Sequence, residues 1–121
     1  MPKPLPQHLK TGQIGEAKAV AYLLEKDYEI VHQNYRLGKA EIDIIAQKQN
    51  LLVFVEVKTR TNLSFGMPEN DVTPRKAKRI VDAAEQYTFQ QKWNHNIRFD
   101  IIAVIINKNN IEITHFEDAF Y

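Results

Sequence analysis

The sequence predicts an α/β fold in which a mixed β-sheet carries a helix on each face, with elements in the order α-β-β-β-α-β-β. Three observations carry this expectation. Two segments, from Thr11 or Gly12 to about Lys26 and from Thr73 to about Gln91, space their apolar residues as helices do. Between them lie three runs of strand character separated by short polar turns. After the second helix, Phe99 to Ile106 is apolar on both faces, as a central strand covered from both sides would be. At 121 residues the chain accommodates one such three-layer domain and no second.

Residues 1–10 hold three prolines and no apolar run, which reads as an extended N-terminal arm before a single domain at 11–121. In the first helix Ile14, Ala17, Val20, Ala21 and Leu24 form the expected buried stripe. Glu16 then falls on its flank, about 90° from the centre at roughly 100° per residue. From that position it can reach the edge of the sheet, or simply favour the first turn through the helix dipole; spacing does not choose. Tyr28 to Arg36 is the first strand and Leu37-Gly38-Lys39 the turn into the second, about 40–46. A third strand at about 51–59 is followed by a loop rich in breakers, with Asn62, Ser64, Gly66, Pro68 and Asn70, expected beside the charged strand ends. Thr73-Pro74 reads as N-cap and first helical position of the second helix, whose buried side is Ala77, Ile80, Val81, Ala84 and Tyr87. Lys108-Asn-Asn110 turns the fourth strand into a fifth at Ile111 to Phe116, and the aromatic tail Phe120-Tyr121 is expected to dock on the body.

Composition, 44% hydrophobic and 26% charged, is that of an ordinary globular protein. With no cysteine, a disulfide framework, thiolate catalysis and thiolate-bound zinc are excluded. Met1 to Lys10 has no signal-peptide pattern and the sequence no apolar run of spanning length, so a cytoplasmic location without a membrane partner is expected. A net charge of +1 does not mark a nucleic-acid binder, so any such case rests on where the charges lie. His8, His32, His95 and His115 lack metal-binding spacing and read as ordinary surface or core residues, and Arg98 with Asp100 as an internal ion pair.

The chemistry concentrates in Glu41-Ile-Asp43 and Phe54-Val-Glu56-Val-Lys58. Strand interiors are depleted in Asp and Lys, so three acids and an amine there need a reason. Alternation puts Glu41 and Asp43 on one face with Ile42 and Ile44 on the other, and puts Glu56 and Lys58 on a face with Phe54. The polar stretch Gln47-Lys-Gln-Asn50 makes the two strands an antiparallel hairpin. A two-residue loop at Gln49-Asn50 would set Asp43 across from Glu56 and Glu41 across from Lys58; a four-residue loop would set Glu41 across from Glu56. Directly opposed carboxylates have Cβ atoms roughly 5 Å apart and repel. A divalent cation reverses that sign, and hard carboxylate oxygens suit Mg2+ or Mn2+ rather than zinc. The plainer alternative is a solvated cross-strand pair of Glu41 and Lys58.

Arg75, Lys76, Lys78 and Arg79 crowd the first turns of the second helix, where the dipole disfavours cations and an anion would restore the balance. A solvated basic face paired with Asp71 or Asp82 would also accommodate them. Arg36, Lys39 and Arg60 add positive charge at strand ends. A basic rim around an acidic centre fits a phosphodiester brought to a metal.

Asp43 followed by Glu56-Val-Lys58 resembles the PD-(D/E)xK motif of restriction-endonuclease-like nucleases, with Ile42 where the motif's proline usually stands. Glu16 resembles the additional acid of the Holliday-junction resolvase branch. Nearly the whole chain resembles the YraN family of small bacterial endonuclease-like proteins. The residues that carry this are Gly15-Glu16 with Ala19, Asn34-Tyr-Arg36, Glu41-Ile-Asp43, Phe54 to Arg60, Phe65-Gly66, Lys76 to Ile80, Arg98-Phe-Asp100 and Ala119-Phe120. The resemblance implies a restriction-endonuclease-like three-layer sandwich and a metal-dependent nuclease site. In it Asp43, Glu56 and the main-chain carbonyl of Val57 would hold Mg2+ or Mn2+, Lys58 would orient water or neutralise growing charge, and Glu16 would complete the metal shell. Arg36, Lys39, Arg60, Arg75, Lys76, Lys78 and Arg79 would hold the backbone of a nucleic acid, DNA rather than RNA and branched or junction-like in structure. Cutting both strands symmetrically needs two sites, so a homodimer is the expected assembly. The alternative is a noncatalytic nucleic-acid-binding module on the same fold.

Overall fold

The computed structural model describes residues 7–61, 71–108 and 110–121. The elements are α1 (Gln7–Glu25), β1 (Glu29–Leu37), β2 (Ala40–Lys48), β3 (Leu51–Arg60), α2 (Pro74–Gln90), β4 (Asn96–Asn107) and β5 (Asn110–Phe116). This is the predicted order. The helix α1 starts at Gln7, earlier than expected. The remaining residues of the expected arm, 1–6, and the breaker-rich loop at 62–70 lie outside the described residues. Among the described residues no helix is long and apolar enough to cross a membrane.

One sheet holds all five strands in sequence order, β1-β2-β3-β4-β5. The pair β3–β4 is parallel, running from Leu51↔Asn96 to Arg60↔Ile105, and its crossover carries α2. The other three pairs are antiparallel. On one face Ala19 and Leu23 of α1 pack on Ile44, Ala46, Val53, Val55, Ile102 and Val104. On the other, Ile80, Ala83, Ala84 and Tyr87 of α2 pack on Ile42, Ile45, Leu52, Phe54 and Phe99. Here Tyr87 meets Tyr35 and Phe54 edge-on at ring separations of 5.2 and 6.0 Å, a favoured geometry for aromatic pairs.

Two sequence expectations are corrected here. The buried stripe of α1 is Gly15, Ala19 and Leu23, whereas Ile14 is 46% and Leu24 53% exposed. A Cβ on Gly15 would fall inside the Thr59 side chain, so the helix lies on β3 through its small residues, and that contact outranks the bulkier apolar positions. Glu16, next to Gly15, remains on the flank. In β2, Ile42 and Ile44 do not share a face: Ile42 belongs to the α2 side and Ile44 to the α1 side. The alternation breaks at Asp43, beside Asn34 of β1, whose φ of 53° departs from extended backbone.

The tail docks through Phe120, whose ring stands 5.4 Å from that of Phe99, while the Ala119 N–H donates to the Phe99 carbonyl at 2.7 Å. Tyr121 instead is 93% exposed. Arg98 and Asp100 form the expected internal pair in bidentate geometry, both bonds 2.8 Å. Asp100 is fully buried and also meets His115 Nε2 at 2.6 Å and the Asp118 N–H at 3.0 Å, while Arg98 donates to the Tyr28 hydroxyl. Burial disfavours the charge on Asp100, but these donors outweigh it and hold its carboxyl below the ordinary range.

Candidate functional site

The β2–β3 hairpin uses the two-residue loop: Lys48 pairs with Leu51, and the ladder continues to Ile44↔Val55. One step further the register sets Asp43 opposite Glu56. There the ladder ends, and the Val57 N–H donates to Asp43 Oδ2 at 2.8 Å. A carboxylate has taken the place of a strand partner. Because the N–H and C=O of a strand residue point to the same side, the Val57 carbonyl faces the same gap.

Glu56 is only 5% exposed. Its Oε1 receives two ammonium groups, Lys76 Nζ at 2.9 Å and Lys58 Nζ at 3.4 Å. Its Oε2 is buried without a hydrogen-bond partner. Such an atom costs roughly 1–3 kcal/mol, which a ligand would recover. Burial and the neighbouring Glu56 push the Asp43 carboxyl up to about 7, against the Val57 N–H that favours its charge. Burial and the adjacent Lys76 hold the Lys58 amine below the usual lysine range. The Lys76 ammonium is held above that range, its contacts with Lys58 and Glu56 outweighing burial. Glu16 of α1 is raised by burial and by the charges of Glu41 and Glu56, although an Asn34 hydrogen bond favours its ionised form. Thus Glu16 feels the field of the cleft from the α1 side.

Asp43, Glu56 and Lys76 border a cleft of about 400 Å3 lined also by Lys39, Glu41, Thr73, Arg75 and Arg79, among others; Lys58 joins it through its contact with Glu56, and Glu16 is not in its lining. Of the basic residues singled out in sequence, Lys39, Arg75, Lys76 and Arg79 therefore gather at the acids. The rest are held in ion pairs. Arg36 pairs at 3.0 Å with Glu41, itself in the cleft lining, and Lys58 meets Glu56, so the plainer alternative of a Glu41–Lys58 pair does not form. Arg60 pairs with Asp71, and Lys78 with Asp82 one turn along α2, where both side chains are exposed. The start of α2 offers fewer free N–H groups than a bare helix end. Thr73 Oγ1 accepts from the Lys76 N–H, Thr73 O accepts from Ala77, and Pro74 has none to give. Any phosphate there would be held mainly by side chains.

Among the described residues no three acids or histidines form a ready metal cluster. The donor set is two carboxylates and a main-chain carbonyl, all hard oxygen. This fits Mg2+, which keeps several waters and binds through one or two carboxylates plus substrate phosphate. The unpartnered Glu56 Oε2 is the observation on which that fit rests. Sequence reasoning passed over Asn34 as a site residue, although it stands in the Asn34-Tyr-Arg36 run of the family resemblance and is a polar residue inside a strand.

Fold and cleft together define the class: a restriction-endonuclease-like three-layer α/β sandwich, with acids and lysines gathered where its second and third strands part. The chain belongs to the uncharacterised protein family UPF0102, the YraN family, whose model matches residues 15–104. That span contains every candidate site residue. Similar UPF0102 proteins include one from Flavobacterium psychrophilum, 47% identical over 115 residues that cover 95% of this chain and 97% of the relative. Others are from Bacteroides thetaiotaomicron, 48% identical, and Christiangramia forsetii, 44% identical, each across 95% of this chain and at least 95% of the relative.

Proposed function

We propose that this protein is a metal-dependent nuclease that hydrolyses phosphodiester bonds, acting on structured DNA. The observation that carries the reading is the nearly buried Glu56 with one unpartnered oxygen, opposite Asp43, in a cleft rimmed by Lys39, Arg75, Lys76 and Arg79.

Asp43, Glu56 and the Val57 carbonyl would hold one Mg2+ or Mn2+. Bound there, such an ion supplies Lewis acidity to a phosphate oxygen and acidity to a coordinated water. Glu56 is held rigidly in β3, and Asp43 is aimed by its bond to the Val57 N–H. Lys58 projects from the same strand as Glu56, near enough to meet an incoming water or the charge that grows on phosphorus. Its depressed basicity brings the neutral amine closer to use as a proton acceptor. Glu16 approaches from α1, where it can orient water by accepting its hydrogen bond. The α2 cations meet phosphates on either side of the scissile bond. Such contacts position a strand without reading bases, so selectivity falls on shape.

Labelled linear, flapped, single-stranded and four-way-junction DNA, with RNA beside them, test the reading in Mg2+ or Mn2+ against Asp43→Asn. Metal-dependent products that the variant does not make are expected. Binding without products on every substrate would favour the noncatalytic module instead.

A further inference from the structure

We propose that Lys76 is the resident cation of the Asp43–Glu56 site, holding the charge position on Glu56 until a divalent ion replaces it, and that the freed ammonium then turns to substrate phosphate. The proposal rests on the metal reading above. Two ammonium groups share Glu56 Oε1, and only one of them can leave easily. The Lys58 side chain is 19% exposed and rises from the same strand two residues along, whereas that of Lys76 is 39% exposed and reaches in from the opposite layer. Both ammonium groups sit on an oxygen of the site's own carboxylate, so an incoming dication would meet both at close range.

The first turn of α2 fixes where a released Lys76 can go. Thr73 caps the helix through the Lys76 N–H itself, so the backbone is anchored while the side chain is free to swing. Arg75 and Arg79 line the same cleft, which places the released ammonium among the cations that would receive a phosphate. Metal loading and substrate grip are thereby coupled: the empty site is neutralised from within, and the loaded site gains a phosphate contact.

Titration calorimetry with Mn2+ tests this on the whole chain, comparing wild type with Lys76→Met, Lys76→Arg and Asp43→Asn, with circular dichroism as a check on folding. Lys76→Met should bind Mn2+ about tenfold more tightly than wild type, and Lys76→Arg, which restores the charge, close to wild type. If the methionine variant fails to fold, Lys76→Gln carries the same expectation. Equal or weaker Mn2+ binding by the neutral variants overturns this inference while leaving the metal site standing. No Mn2+ binding by wild type or by the neutral variants overturns the metal reading and this inference with it.

Discussion

Asp43 carries a carboxyl that titrates near 7 where an unfolded chain would titrate near 3.8. Between those values the folded state holds more protons than the unfolded one, so stability falls as pH rises through the window and levels off above it. Asp43→Asn keeps an acceptor for the Val57 N–H and removes the charge. In metal-free buffer the variant should match wild type near pH 4 and exceed it by up to about 4 kcal/mol above pH 7, as urea unfolding would measure. A loss beyond about 2 kcal/mol would make Asp43 a structural partner. Asp100 should behave in the opposite sense. Its folded carboxyl lies below the ordinary range, so its contribution is present above that range and is lost as pH falls through the lowered value. Asp100→Ala leaves Arg98 and His115 without their buried acceptor and should cost about 3–5 kcal/mol at neutral pH, read from the denaturant midpoint.

At the level of elements, α1 and the β2–β3 hairpin fix the site from two sides. Gly15 lets α1 rest directly on Thr59, one residue beyond Lys58. An exposed helical Gly→Ala change usually gains up to about 1 kcal/mol. Here Gly15→Ala should instead lose about 1–3 kcal/mol by overpacking, and Thr59→Ala should recover part of the loss in a double-mutant cycle. Additive losses would mean that the contact is not what holds the helix. The bounds of α2 were legible because Thr73-Pro74 writes a cap and a first turn in residue types. The buried face of α1 was not, since glycine and alanine bury little area and leave no hydrophobic signal, while Ile14 and Leu24 advertise a face that the packing leaves outside. Asp43 and Glu56 were legible as a pair, and the Gln49-Asn50 loop settled which of two registers brings them together. The change of face at Asp43, beside Asn34 with its positive φ in the neighbouring strand, was not legible, because strict strand alternation puts Ile42 and Ile44 on one face.

Over the whole molecule, a net charge of +1 conceals a local gathering of charge: four cations and three acids line the cleft, one of those acids, Glu41, held by Arg36, while Arg60 and Lys78 are tied to acids elsewhere. If Lys39, Arg75, Lys76 and Arg79 each meet a phosphate, log K for duplex DNA should fall against log salt with a slope of about −3.6. Removing Arg79 should reduce that slope by about one without changing relative affinity among sequences. In the proposed function Asp43 and Glu56 form a metal-dependent hydrolytic centre. Its most direct test is cleavage of a labelled four-way junction by wild type and Asp43→Asn across a Mg2+ titration. Products should rise with Mg2+ for wild type and be absent for the variant. Products that form equally in both, or that form without a divalent ion, would contradict it.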